Sequence, residues 1–149
     1  MFSAAGLIVT AGIALAQASM TFSARLDWVP IGGAERNDVA GRGAATATLS
    51  RSRLAISGSF EGLPAAATRA SLHRGVALGA RGPAITELEV TSGSDGTFAG
   101  EVTLGREERD ALLAGHLYVQ LHAERGVAPD NAVLWGWLLA GEREDRSAR

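Results

Sequence analysis

This chain of 149 residues has three histidines, His73, His116 and His122, the residue type suited to acid–base work near neutral pH. Each is suited to proton transfer or to holding a metal through a ring nitrogen. They sit in two segments, Ala70-Ser71-Leu72-His73-Arg74-Gly75 and Gly115-His116-Leu117-Tyr118-Val119-Gln120-Leu121-His122-Ala123. Both segments alternate apolar and polar residues, so both read as half-buried strands with the terminal histidine on the polar face. His116 and His122 share that face but lie about 20 Å apart along an extended strand, too far to share a metal. His73 and His122 can meet only if their strands are neighbours or face each other. With a carboxylate they would then hold zinc or copper. No carboxylate is marked for that role, although Glu124 follows His122 closely. The plainer reading gives His73 and His122 hydrogen bonds to loop carbonyls at strand ends. It places His116 at a helix C-terminus, where partial positive charge is favoured.

Other chemistry is scarce. The chain has no cysteine, which removes thiolate nucleophiles, disulfides and cysteine-based metal sites. It has no nucleophile elbow, no P-loop and no paired-histidine zinc helix. The glycine-rich stretch at residues 75–82 opens no helix, so it does not cradle phosphate. Trp135 and Trp137 lie in an apolar run and read as core. Basic and acidic residues number 14 and 16, for a net charge of −2. Every basic residue is arginine, which we read as a compositional bias. Without a basic surplus, nucleic acid is not an expected partner.

These residues need a scaffold, and the scaffold reads as strands. Phe22, Ala24, Leu26 and Trp28 alternate with polar residues. So do Ala45, Ala47 and Leu49; Leu54, Ile56, Gly58 and Phe60; Leu88 and Val90; and Phe98, Val102 and Leu104. Ser50-Arg51-Ser52 predicts a hairpin turn, and Ser92-Gly93-Ser94-Asp95-Gly96 a second turn. Residues 106–114 break the pattern: early acidic residues, a Leu pair and Gly115 predict a short helix with a glycine C-cap. The last strand, residues 133–139, is apolar on both faces and is expected to be covered on both. The fold class predicted is all-β: an antiparallel β-sandwich, immunoglobulin-like or superoxide-dismutase-like Greek key, with one short helix before the penultimate strand. It forms one domain over residues 20–140.

The ends read differently. Residues 2–18 carry no charge and finish in Ala16-Gln17-Ala18, the small-x-small form of a signal-peptidase site. Residues 1–18 are therefore expected to be a signal peptide cleaved after Ala18. The rival is an uncleaved anchor, although about 25 Å of helix is short for a bilayer core. Residues 141–149 are charged, lack an apolar face and are expected to be a disordered tail.

The ordered motifs resemble the CHRD domain, the module named from chordin. The resemblance rests on Phe22-Ser23-Ala24-Arg25-Leu26, on Gly62-Leu63 before the His73 segment, and on Gly82-Pro83-Ala84-Ile85. It rests most on residues 112–122, followed by Leu134-Trp135-Gly136-Trp137-Leu138. The family-motif positions are His73, Gly75, Gly115, Tyr118, His122 and Gly136. The resemblance implies a β-sandwich outside the cytoplasm with binding or structural roles. The family pattern often has histidine where Ser71 stands, a His-x-His spacing similar to that of copper/zinc superoxide dismutase. Ser71, Ala123 and Trp135 each replace a polar group there.

The functional expectation is an exported, non-enzymatic, CHRD-like binding or envelope-structural protein, periplasmic or extracellular. It has no catalytic residue, no cofactor and no favoured metal ligand. Its partner is an unknown protein or envelope ligand, with membrane contact only if the N-terminal segment stays uncleaved. Self-assembly through sheet edges or the Trp135/Trp137 strand is a further expectation. The alternative is a zinc or copper protein of dismutase-like architecture using His73 and His122.

Overall fold

A computed structural model describes residues 18–141. All of the expected signal peptide (residues 1–18) except Ala18, and all of the expected charged tail (residues 141–149) except Gly141, lie outside the described residues. In chain order the strands are β1 (Ser19–Trp28), β2 (Arg42–Ser50), β3 (Arg53–Glu61), β4 (Ala67–Arg74), β5 (Ala84–Val90), β6 (Gly96–Thr103), β7 (Leu117–Val127), β8 (Ala132–Trp137) and the short β9 (Leu139–Ala140). Helix α1 (Arg106–Leu113) lies between β6 and β7.

The strands close into an eight-stranded antiparallel barrel in the order β1-β2-β3-β6-β5-β4-β7-β8, with β8 returning to β1. This corrects the predicted sandwich. Period-two alternation specifies a half-buried strand equally well in a sandwich and in a barrel. What decides is β1, which pairs along Ser19–Leu26 with β2 and through Asp27 and Trp28 with Trp135 and Leu134 of β8. One strand thereby bridges both halves, and each barrel strand is paired on both sides. The connectivity is Greek key: β3 neighbours β6, and β4 neighbours β7.

The interior is filled by alternate residues of every barrel strand. Phe22, Leu26, Leu54, Phe98, Val119 and Leu121 are among those buried there. Gly58 faces inward under Phe98, where a Cβ would overlap the ring. Gly136 lets β8 approach β1: a Cβ there would sit 2.6 Å from the carbonyl oxygen of Arg25. Helix α1 and Gly115 follow the prediction. Gly115 adopts φ +79°, a left-handed conformation that favours glycine, and the backbone N–H of His116 donates to Ala111 O at 2.8 Å.

One strand differs from its reading. The β7–β8 register sets Tyr118 opposite Trp137, and Gln120 opposite Trp135. Both tryptophans therefore point outward, half-buried, while Leu134, Gly136 and Leu138 are buried on the inner side. An apolar run does not reveal which parity faces in; only the register with β7 does.

Candidate functional site

The polar face of β4 and β7 is the chemically richest part of the molecule. The two strands pair antiparallel with Arg69 opposite His122, Ser71 opposite Gln120 and His73 opposite Tyr118. These alternate residues point away from the barrel interior. Yet Ser71, Gln120 and His122 are 2%, 3% and 2% exposed. Three connections account for this. Residues 75–83 fold over His73 and Tyr118, and residues 128–131 over His122. The β1–β2 connection packs Val29, Ile31 and Val39 against Val127, Ala132 and Trp135.

Each histidine lashes a connection to the barrel. His73 Nδ1–H donates to Gly82 O at 2.9 Å, and His122 Nδ1–H donates to Asp130 O at 2.9 Å. A carbonyl can only accept, so Nδ1 carries the hydrogen in both rings. Nε2 of each neutral ring is then an acceptor. For His73 the donor is the Ser71 hydroxyl, at 2.8 Å. For His122 the donors are the Gln120 amide at 3.2 Å and the Arg69 guanidinium at 3.4 Å. Tyr118 completes the first latch: its hydroxyl accepts from Gly82 N–H at 3.0 Å and donates to Gly82 O at 3.2 Å.

Both histidine pKa values are lowered. Burial is the largest cause, opposed by the hydrogen bond to the loop carbonyl and reinforced by the Arg69 charge. Both rings are therefore neutral near pH 7. The Asp130 carboxylate stands 3.8 Å from His122 Nδ1, outside hydrogen-bond range, and offers a charge partner only on protonation.

An aromatic layer adjoins the latches. Tyr118 stacks on His73, with centroids 4.9 Å apart and planes at 19°. It also meets Trp137 at 4.5 Å and Trp135 edge-on at 5.7 Å. The Arg81 guanidinium lies 5.9 Å above the Trp135 ring, tying the same connection down again.

The structure thus brings His73 and His122 onto neighbouring strands and one face. By register they sit two residues to either side of the Ser71/Gln120 pair, so their backbones are about 13 Å apart along the strands. His116 is elsewhere, at the end of α1, where its carbonyl accepts from Gly75 N–H at 2.8 Å. No group of three or more His, Cys, Asp or Glu side chains is placed to hold a metal ion among the described residues.

The motif glycines have steric roles here. A Cβ on Gly75 would come 2.8 Å from Trp137, and one on Gly82 would overlap the Arg74 carbonyl. Sequence reasoning missed Arg69, Gly82 and Asp130 as partners of the histidines. Arg69 shares the parity of Ser71 and His73, which was a usable signal. Gly82 and Asp130 contribute backbone carbonyls, which no side-chain pattern marks.

The fold and face define a class: a Greek-key barrel with one outer face roofed by histidine-latched connections. The family model for the CHRD domain matches residues 22–128, and the chain belongs to the CHRD domain family. The match takes in every motif position except Gly136. No curated protein and no solved structure matches the chain.

Proposed function

We propose that the protein is an exported, non-enzymatic CHRD domain with a binding or envelope-structural role, released by cleavage after Ala18. One observation carries the reading. The side chains best suited to chemistry are bound to one another and to loop carbonyls, so their hydrogen-bonding capacity goes into holding the roof of the barrel. Export rests on the uncharged apolar run at residues 2–18 and its Ala16-Gln17-Ala18 end. The test is to isolate the protein from its own envelope, sequence its N-terminus and identify what accompanies it. The expected start is Ser19, with a stoichiometric macromolecular partner or envelope component. Retention of residues 2–18 would contradict cleavage, and substrate turnover that is lost in His73→Ala would contradict the non-enzymatic role.

A second reading, a zinc or copper site on His73 and His122, is favoured by their posture. Both present Nε2 while Nδ1–H is fixed by a carbonyl, the usual orientation of a ligating histidine. The Arg69 guanidinium beside His122 Nε2 works against a cation there. Metal analysis of untagged protein decides: stoichiometric zinc or copper, lost in His73→Ala, would establish this reading over the first.

A further inference from the structure

The barrel is polarised from end to end. β1, β3, β5 and β7 begin at one end, and β2, β4, β6 and β8 finish there. Of the six exposed large apolar side chains among the described residues, Met20, Val76, Leu78, Leu113 and Leu139 all lie at this end; only Trp28 lies at the other. Val76 and Leu78, at the tip of the 75–83 connection, are 82% and 58% exposed. Isolated apolar side chains on a surface are ordinary, but five of six at one end set that end apart from the other. No helix among the described residues is long and apolar enough to cross a membrane.

Two further observations select the occupant. The connections at this end carry Arg51, Arg81, Arg106 and Arg109 against Glu107, Glu108 and Asp110. Those at the far end carry Glu35, Asp38, Asp95 and Asp130 against Arg36. These connections sum to +1 (4 − 3) at the first end and −3 (1 − 4) at the far end, so an anionic surface is approached by the first end rather than the second. The apolar run of residues 2–18 also joins the barrel here, at Ser19, so this is the end next to the bilayer during export. Cleavage after Ala18 would add an α-amine at the same place.

We propose that this end of the barrel docks on the surface of an anionic lipid bilayer, with Val76 and Leu78 inserted below the headgroups and the arginines among them. The proposal deepens the envelope role given above and rests on it. Insertion of two aliphatic side chains plus basic residues is the usual recipe for reversible interfacial binding.

The experiment is flotation of the protein, purified from cells expressing the full sequence, with vesicles of phosphatidylethanolamine and phosphatidylglycerol or of phosphatidylcholine alone. Binding is expected only to the anionic vesicles, and it weakens as salt rises. The double variant V76D/L78D should reduce the vesicle-bound fraction roughly tenfold while keeping the wild-type melting profile. A44D/A99D, the same charge change on the exposed barrel face, should retain binding. Three results would overturn the proposal. One is absence of wild-type flotation. Another is binding indifferent to V76D/L78D, as when residues 2–18 alone hold the protein. The third is a wild-type dimer in sedimentation that V76D/L78D converts to monomer, which assigns this end to a second copy. N-terminal sequencing reports separately on export, so failure of docking and failure of export are distinguishable.

Discussion

The barrel has two outer faces built by the same rule and put to different use. On β2, β3 and β6 the outward residues are small, polar or charged and lie open to solvent; Ala44, Thr46, Ser57, Ser59, Thr97 and Ala99 are all exposed. On β4, β7 and β8 the outward residues Ser71, His73, Tyr118, Gln120, His122, Trp135 and Trp137 are buried or half-buried, and only Arg69 among those named on this face is exposed. Both sets alternate with core residues at period two. The difference arises from the connections. The β2–β3 turn is tight and stays clear of its sheet, whereas residues 29–41, 75–83 and 128–131 fold over the second face. A buried polar group costs free energy unless it is hydrogen-bonded, so a roofed face needs partners for each polar atom. The histidines supply them: one ring reaches a loop carbonyl with one nitrogen and a sheet side chain with the other.

The sharpest way to break the contrast is Gly82→Ala. Its Cβ would overlap the Arg74 backbone carbonyl, which has no side-chain freedom to yield. A loss of about 4 kcal/mol is expected in chemical denaturation. His122→Ala should follow at about 3 kcal/mol, because it opens a cavity and strands the Gln120 amide and the Asp130 carbonyl. The pH dependence of stability sharpens the assignment. The folded-state pKa values of His73 and His122 lie below the ordinary value of 6.5. The unfolded chain therefore binds protons more readily than the folded one. Stability should be full above about pH 6.5 and fall as pH drops toward the lowered pKa values. Thermal melts of H73Q/H122Q should show a flatter acid limb than the wild type. Tyr118→Phe keeps the stacking on His73 but removes both hydrogen bonds to Gly82, for a loss of about 1 kcal/mol. Ser57→Ala and Thr97→Ala on the open face should change stability by less than about 0.5 kcal/mol. A cost as large as that of His122→Ala at either site would show that the open face is also covered.

Much of the strand inventory was legible because burial of alternate residues leaves a direct mark on sequence. The helix was equally plain, since its acidic first turn and Gly115 satisfy end groups that any helix leaves open. The parity of Trp135 and Trp137 was not legible: an apolar run reads the same with either face inward. The importance of His73, Tyr118 and His122 was visible as a motif, but their partners were not. Gly82 and Asp130 act through carbonyl oxygens, and every residue has one.

By itself the sequence determined the strands, the helix, the family and the face shared by His73 with Ser71 and by His122 with Gln120. These follow from local periodicity and end chemistry, which are properties of neighbours along the chain. Tertiary structure alone decided that the sheet closes, that β1 bridges its halves, that three connections roof one outer face, and that the exposed apolar residues gather at one end. Those outcomes depend on which distant segments pair and where their backbones lie, and neither is written in the spacing of any single segment.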